Sequence, residues 1–120
     1  MSATAAPAGA VVPPLSGSAY RRAAAMGWAE SGDGYWVKPL FEDPKTGDRT
    51  LLMRIAPGTV SPPHAHDGEF EQIYMLEGSF EDDNGPLKPG DYACRAPGSV
   101  HSGRTAEGCV MLLIYSRRAP

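Results

Sequence analysis

Between Gly58 and Gly78 the chain reads GTVSPPHAHDGEFEQIYMLEG, and this stretch limits the fold more than any other. His64 and His66 stand two residues apart, Glu71 follows five residues after the second histidine, and a glycine closes each end. In an extended strand the side chains of residues i and i+2 leave the same face, so the two imidazoles can point at one spot. Asp67-Gly68 is a turn signal. An antiparallel return strand starting near Glu71 then brings a carboxylate back opposite the imidazoles.

The sequence holds only three histidines. The third, His101, lies in GDYACRAPGSVH, behind a second turn rich in glycine and proline. Two imidazoles, a carboxylate and a third imidazole form a borderline donor set that suits iron, manganese, nickel, copper or zinc as a divalent ion.

These spacings resemble those of the cupins, a family of small β-barrel proteins. The first cupin motif is G, five residues, H-x-H, three or four residues, E, six residues, G, and it is met by Gly58, His64, His66, Glu71 and Gly78. The second is G, five residues, P-x-G-x-x-H, and it is met by Gly90, Gly98 and His101. Ala96 holds the usual proline position with Pro97 after it, and Thr105 stands where the motif ends in asparagine. The similarity runs from about Trp36 to Tyr115. The strings LEGSFED, PGDY, PGSVH and EGC look most like single-domain cupins related to the C-terminal half of a zinc-dependent anti-sigma factor.

The resemblance implies an all-β double-stranded β-helix, the cupin jelly roll, with one divalent transition metal ion per chain. His64, His66, Glu71 and His101 are the ligands it implies, with iron(II) favoured and zinc, manganese, nickel or copper as alternatives. Four protein ligands leave two positions free on an octahedral ion, where substrate and dioxygen could bind side by side. Glu71 is then a ligand or, if it swings off, a general base. Related single-domain cupins include dioxygenases that cleave diketones and hydroxyketones, which implies a small-molecule substrate of that kind. The same four residues saturate a tetrahedral zinc ion. A zinc-stapled binding or sensing module without catalysis is therefore the alternative.

A chain of 120 residues is expected to form one domain. Its net charge of −3, with both signs mixed along the chain, points away from nucleic acid and anionic membranes as partners. Residues 1–18 are rich in Ala, Pro, Gly and Ser, without a periodic apolar pattern, and read as a flexible tail before a cupin domain over 19–120. The tail has no basic segment and prolines interrupt its apolar residues, so the expected location is cytoplasmic. One or two helical turns are expected within Ala19–Trp28.

Strands are expected at 35–41, where Pro39 argues for an edge or a bulge, and at 50–56. Further strands are expected around His64 and His66, at 71–78, around DYACR and VHSGR, and at 109–115. Glu71, Ile73 and Met75 share one face of their strand, and Tyr74 and Leu76 share the other. Both faces are largely apolar, which points to a homodimer interface outside the barrel. Arg54 reads as an outward charge, or else as a clamp for a substrate anion. Cys94 reads as a small buried hydrophobe on a strand, in preference to an extra soft ligand, and both cysteines are expected to be free thiols.

Overall fold

A computed structural model describes residues 9–118. It shows two antiparallel sheets packed face to face as a jelly roll, without an α-helix among the described residues. In chain order the strands are β1 (Ala29–Glu30), β2 (Tyr35–Glu42), β3 (Arg49–Ile55), β4 (Val60–His64) and β5 (Glu69–Gly78). They continue as β6 (Phe80–Asp82), β7 (Gly85–Leu87), β8 (Tyr92–Arg95), β9 (His101–Arg104) and β10 (Cys109–Arg117). The larger sheet has the order β1-β2-β3-β10-β5-β8, and the smaller one β4-β9-β6-β7.

The period of two decides which residues meet between the sheets. On β5, Glu69, Glu71, Ile73 and Met75 are buried, while Tyr74 and Leu76 face out. On β10, Cys109, Met111, Leu113 and Tyr115 are buried in the same alternation. Register stacks them across three strands: Met111 lies between Met53 and Met75, and Leu113 between Leu51 and Ile73. Ile55 and Phe80 complete this core. Gly103 on β9 makes room for Phe80, because a Cβ there would overlap the ring edge and lie 2.9 Å from the Glu81 carbonyl oxygen.

Pro39 cannot donate to a ladder, and the β2–β3 register shifts between Pro39 and Phe41, the bulge that its position implies. The expected helical turn is a single 3₁₀ turn over Ala23–Ala25. It leads into a segment that covers the outer face of β2 and β3. There Lys38 Nζ donates to the Ala23 carbonyl at 2.8 Å, and its ammonium sits 4.7 Å from the Trp28 ring centre. Arg54 points outward between Trp28 and Trp36, at 5.0 and 4.8 Å from their ring centres, and so does not reach the interior as a substrate clamp.

Of the expected tail, residues 1–8 lie outside the described residues. Within 9–18, Val11 is bound to the sheet. Its N–H donates to the Leu40 carbonyl at 3.0 Å, and its carbonyl accepts from Glu42 N–H at 2.9 Å, as a parallel bridge beside Phe41.

Candidate metal centre

His64 closes β4, and the local sequence explains how it turns inward. Pro62-Pro63 cannot hold the ladder to β9, so the register slips between Ser61 and His64 and resumes with His64 directly opposite His101. The two rings are 4.2 Å apart between centres. His66 does not share that strand, contrary to the sequence expectation. Because β4 stops at His64, His66 sits in the connection to β5. Its carbonyl accepts from Gly98 N–H at 3.0 Å and from Glu69 N–H at 3.4 Å, which ties it to the Pro97-Gly98 turn. The His66 ring centre is 5.2 Å from that of His64 and 5.5 Å from that of His101.

Among the described residues, His64, His66 and His101 form a group that could hold a metal ion, each offering one ring nitrogen within 4.8 Å of the others. Hydrogen bonds preset two of the rings. His64 Nδ1 lies 2.8 Å from the Pro62 carbonyl oxygen and His101 Nδ1 lies 3.3 Å from that of Ser99. A carbonyl only accepts, so each Nδ1 carries the proton and each Nε2 keeps a free lone pair. This is the outer-shell arrangement that orients metal-ligating histidines.

Glu71 faces the same space from β5 and is buried. Its two oxygens are each 3.7 Å from an Nε2, one on His66 and one on His101. That is too long for a hydrogen bond. The group that could hold an ion therefore comprises the three histidines, and Glu71 stands beside two of them without joining it.

Arg95 is the residue that the sequence reading missed. It pairs directly with Glu71 across β5–β8, so both side chains leave the inner face. Its Nε is 3.2 Å from Glu71 Oε1, and its Nη2 is 2.9 Å from Oδ2 of Asp82 on the opposite sheet. All three side chains are about nine-tenths buried. The Nε contact is ionic and not a directed hydrogen bond, since both Arg95 Nε and Glu71 Oε1 lack a hydrogen-bond partner. A buried carboxylate oxygen left without a donor beside three bare imidazole nitrogens is what a cation site presents.

Tyr115 is the second such residue. Its ring packs 5.1 Å from His66 and under the Arg49 guanidinium at 4.1 Å. Burial, reinforced by the neighbouring Glu71 carboxylate, pushes its phenol upward, so it keeps its proton. Burial and then the Arg95 charge push the His101 imidazole below its usual range, against the opposing pull of Glu71. Glu69 shares the parity of Glu71 but is engaged at the rim, where Arg49 binds it through two contacts of 3.2 and 3.3 Å.

Cys94 points the other way from Arg95 and is exposed, so it is not the buried strand residue expected from sequence. Cys109 is the buried thiol, and burial raises it to about 11. Both are free. The histidines open onto a cavity of 330 Å³ that is also lined by Met53, Ile55, Ile73, Phe80, Met111 and Leu113. This is a small, largely apolar space with a few polar groups, the usual form of a ligand site.

A family model described as the ChrR cupin-like domain matches residues 16–118. No curated protein matches the sequence. Among solved structures, a cupin-like protein of unknown function from Ralstonia eutropha JMP134 is 25% identical with a TM-score of 0.62, over 70% of this chain and 56% of that one. The Rhodobacter sphaeroides complex of SigE with the anti-sigma ChrR contains a chain 25% identical with a TM-score of 0.65, over 78% of this chain and 51% of that one. The chain thus spans only a little over half the length of these two. An acetylacetone dioxygenase from Acinetobacter johnsonii superposes with a TM-score of 0.73 at 16% identity, over 87% of this chain and 77% of that one, a likeness of fold.

Proposed function

Because this chain belongs to the ChrR cupin-like domain family, we propose that His64, His66 and His101 hold one divalent metal ion and that the loaded protein is a non-haem iron(II)-type dioxygenase for a small ketone or diketone. One observation carries this reading: three ring nitrogens converge at a largely apolar 330 Å³ cavity. An iron(II) ion there would supply Lewis acidity toward a carbonyl and an electron route to dioxygen.

The protein's own groups have separable roles in this reading. The Pro62 and Ser99 carbonyls fix the tautomers of His64 and His101. Glu71, 3.2 Å from Arg95, is a fourth ligand or the base that takes a proton from an acidic C–H beside a carbonyl. Ile73, Phe80, Met111 and Leu113 keep water from the reacting end of the substrate.

The second reading is a zinc-stapled binding module, favoured by the likeness to the anti-sigma chain. A tetrahedral staple needs Glu71 as its fourth ligand. The converging group is the three histidines without Glu71, which favours a site with open positions. For assembly we propose a homodimer through the outer face of β5 and β8, where Tyr74, Leu76 and Tyr92 are exposed.

Elemental analysis of protein purified without added metal, followed by exposure of the iron-loaded form to nitric oxide, tests the choice. The dioxygenase reading expects an iron–nitrosyl absorption band and oxygen consumption with a β-diketone, both lost in His64→Ala. Protein that holds only zinc, inaccessible to added anions, would replace it with the staple. Light scattering of the purified protein tests the dimer, and a monomer mass would remove it.

A further inference from the structure

Beyond the three histidines, the cavity contains an arrangement of fixed charge that the reaction class does not require. Glu71, Asp82 and Arg95 form a buried chain in which one cation faces two anions, and Arg95 lines the cavity. At the rim Glu69 is paired to Arg49 at 3.2 Å, and the Arg117 guanidinium 4.0 Å away is half-exposed and screened by water. The three buried groups therefore sum to −1, and a divalent ion held by neutral imidazoles brings the enclosed charge to +1. In a cavity walled by Met53, Ile55, Ile73, Phe80, Met111 and Leu113, an unbalanced charge is costly, and a ligand of charge −1 removes it.

The guanidinium has the means to recognise such a ligand. Its Nη2 is spent on Asp82, and its Nε, 3.2 Å from Glu71 Oε1, makes no directed hydrogen bond although the side chain is nine-tenths buried. A carboxylate oxygen is the group that satisfies a buried guanidinium N–H best. The apolar residues of the lining suit a short hydrocarbon or ketone tail and not a second charge.

We propose that Arg95 makes this a site for a small monocarboxylate, bound with its anionic end at the metal position, beside Glu71 and within reach of the Arg95 guanidinium, and its apolar tail against Ile73, Met111 and Leu113. The proposal rests on the metal reading above and sharpens its substrate class, from ketones in general to those that enter already ionised. Asp82 is the counterweight: it holds Arg95 and sets the charge count that leaves room for one anion and not two.

The test uses cobalt(II)-loaded protein, with the cobalt absorption spectrum as the binding signal and acetate, isobutyrate and the neutral isostere acetamide as probes. Metal content is measured first for each protein. Wild type is expected to bind both carboxylates in preference to acetamide, and isobutyrate more tightly than acetate. Arg95→Gln removes the charge and is expected to weaken acetate on the order of 1,000-fold, as expected for one charge about 4 Å away at an effective dielectric of about 20. Arg95→Lys should recover most of that loss.

Asp82→Asn raises the enclosed charge and is expected to tighten acetate, the opposite sign from the same count. Should Arg95→Gln fail to fold, the Asp82→Asn result decides alone, and unchanged acetate affinity there overturns the proposal. Equal affinity for acetate and acetamide in a stoichiometrically loaded wild type overturns it while leaving the metal reading intact. Failure to take up cobalt at all overturns both.

Discussion

Gly103→Ala couples core packing to the metal centre in a single atom. Gly103 is buried on β9, and a methyl group there would overlap the Phe80 ring edge and approach the Glu81 carbonyl oxygen to 2.9 Å. Phe80 is itself in the core, so the ring has little room to swing away. The carbonyl belongs to β6, which pairs with β9 and cannot retreat without loosening that ladder. Overpacking of this kind costs about 1–3 kcal/mol. For a domain of this size that is a fall in Tm of roughly 4–12 °C.

The strain should also reach the site. His101 lies two residues before Gly103 on the same face of β9, so a strand pushed away from Phe80 carries the imidazole with it. The assay is thermal melting of metal-free protein together with a metal titration, on Gly103→Ala and on Gly103→Ala combined with Phe80→Leu. Trimming the ring should return part of the lost stability, leaving a coupling above about 0.5 kcal/mol between the two positions. A Gly103→Ala protein that melts within a degree of wild type, or a double mutant whose effects simply add, would refute the packing argument.

The metal-free protein should lose stability in acid through His101. Its folded pKa lies below the unfolded value of 6.5, so the unfolded chain binds the proton more readily. The associated stability is present above about pH 6.5 and is lost as pH falls through and below it, and His101→Gln should flatten a urea-midpoint profile measured between pH 5 and 8. Thiol labelling at pH 8 should modify Cys94 at once and spare Cys109, which is buried and raised to about 11, until denaturant is added; two fast thiols in the native protein would contradict the burial of Cys109. Removing residues 1–12 takes away both backbone hydrogen bonds of Val11, a cost of about 1–3 kcal/mol, and an unchanged melting curve would show that the bridge contributes nothing.

Local relations could be read directly from the chain. Alternation along 71–78 puts Glu71, Ile73 and Met75 on one side and Tyr74 and Leu76 on the other, and the sheet keeps that division because it follows from strand geometry alone. The proximity of the three histidines was legible for a similar reason: H-x-H is a local spacing, and His101 follows a glycine-marked turn. The finer placement of His66 was not. Two prolines within β4 slip its pairing, the strand stops at His64 where that pairing resumes, and the His66 ring arrives from a loop held by Gly98.

Period-two reasoning gives the relative faces of neighbours but not which face is inside, and it does not pair strands that are distant in sequence. Strand β8 packs beside β5 with β6 and β7 between them in the chain, so nothing local announces that Arg95 stands opposite Glu71 and Cys94 opposite Gln72. The closing strand CVMLLIY is apolar on both faces, so its sequence does not say that Tyr115 turns in beside His66. By itself the sequence determined the spacing of the histidines and Glu71 and most of the strands around them, because those depend on neighbours along the chain. Only the tertiary structure decided the charge around that site, because Arg95, Asp82 and Glu71 meet through the pairing of β5 with β8 and the stacking of one sheet on the other.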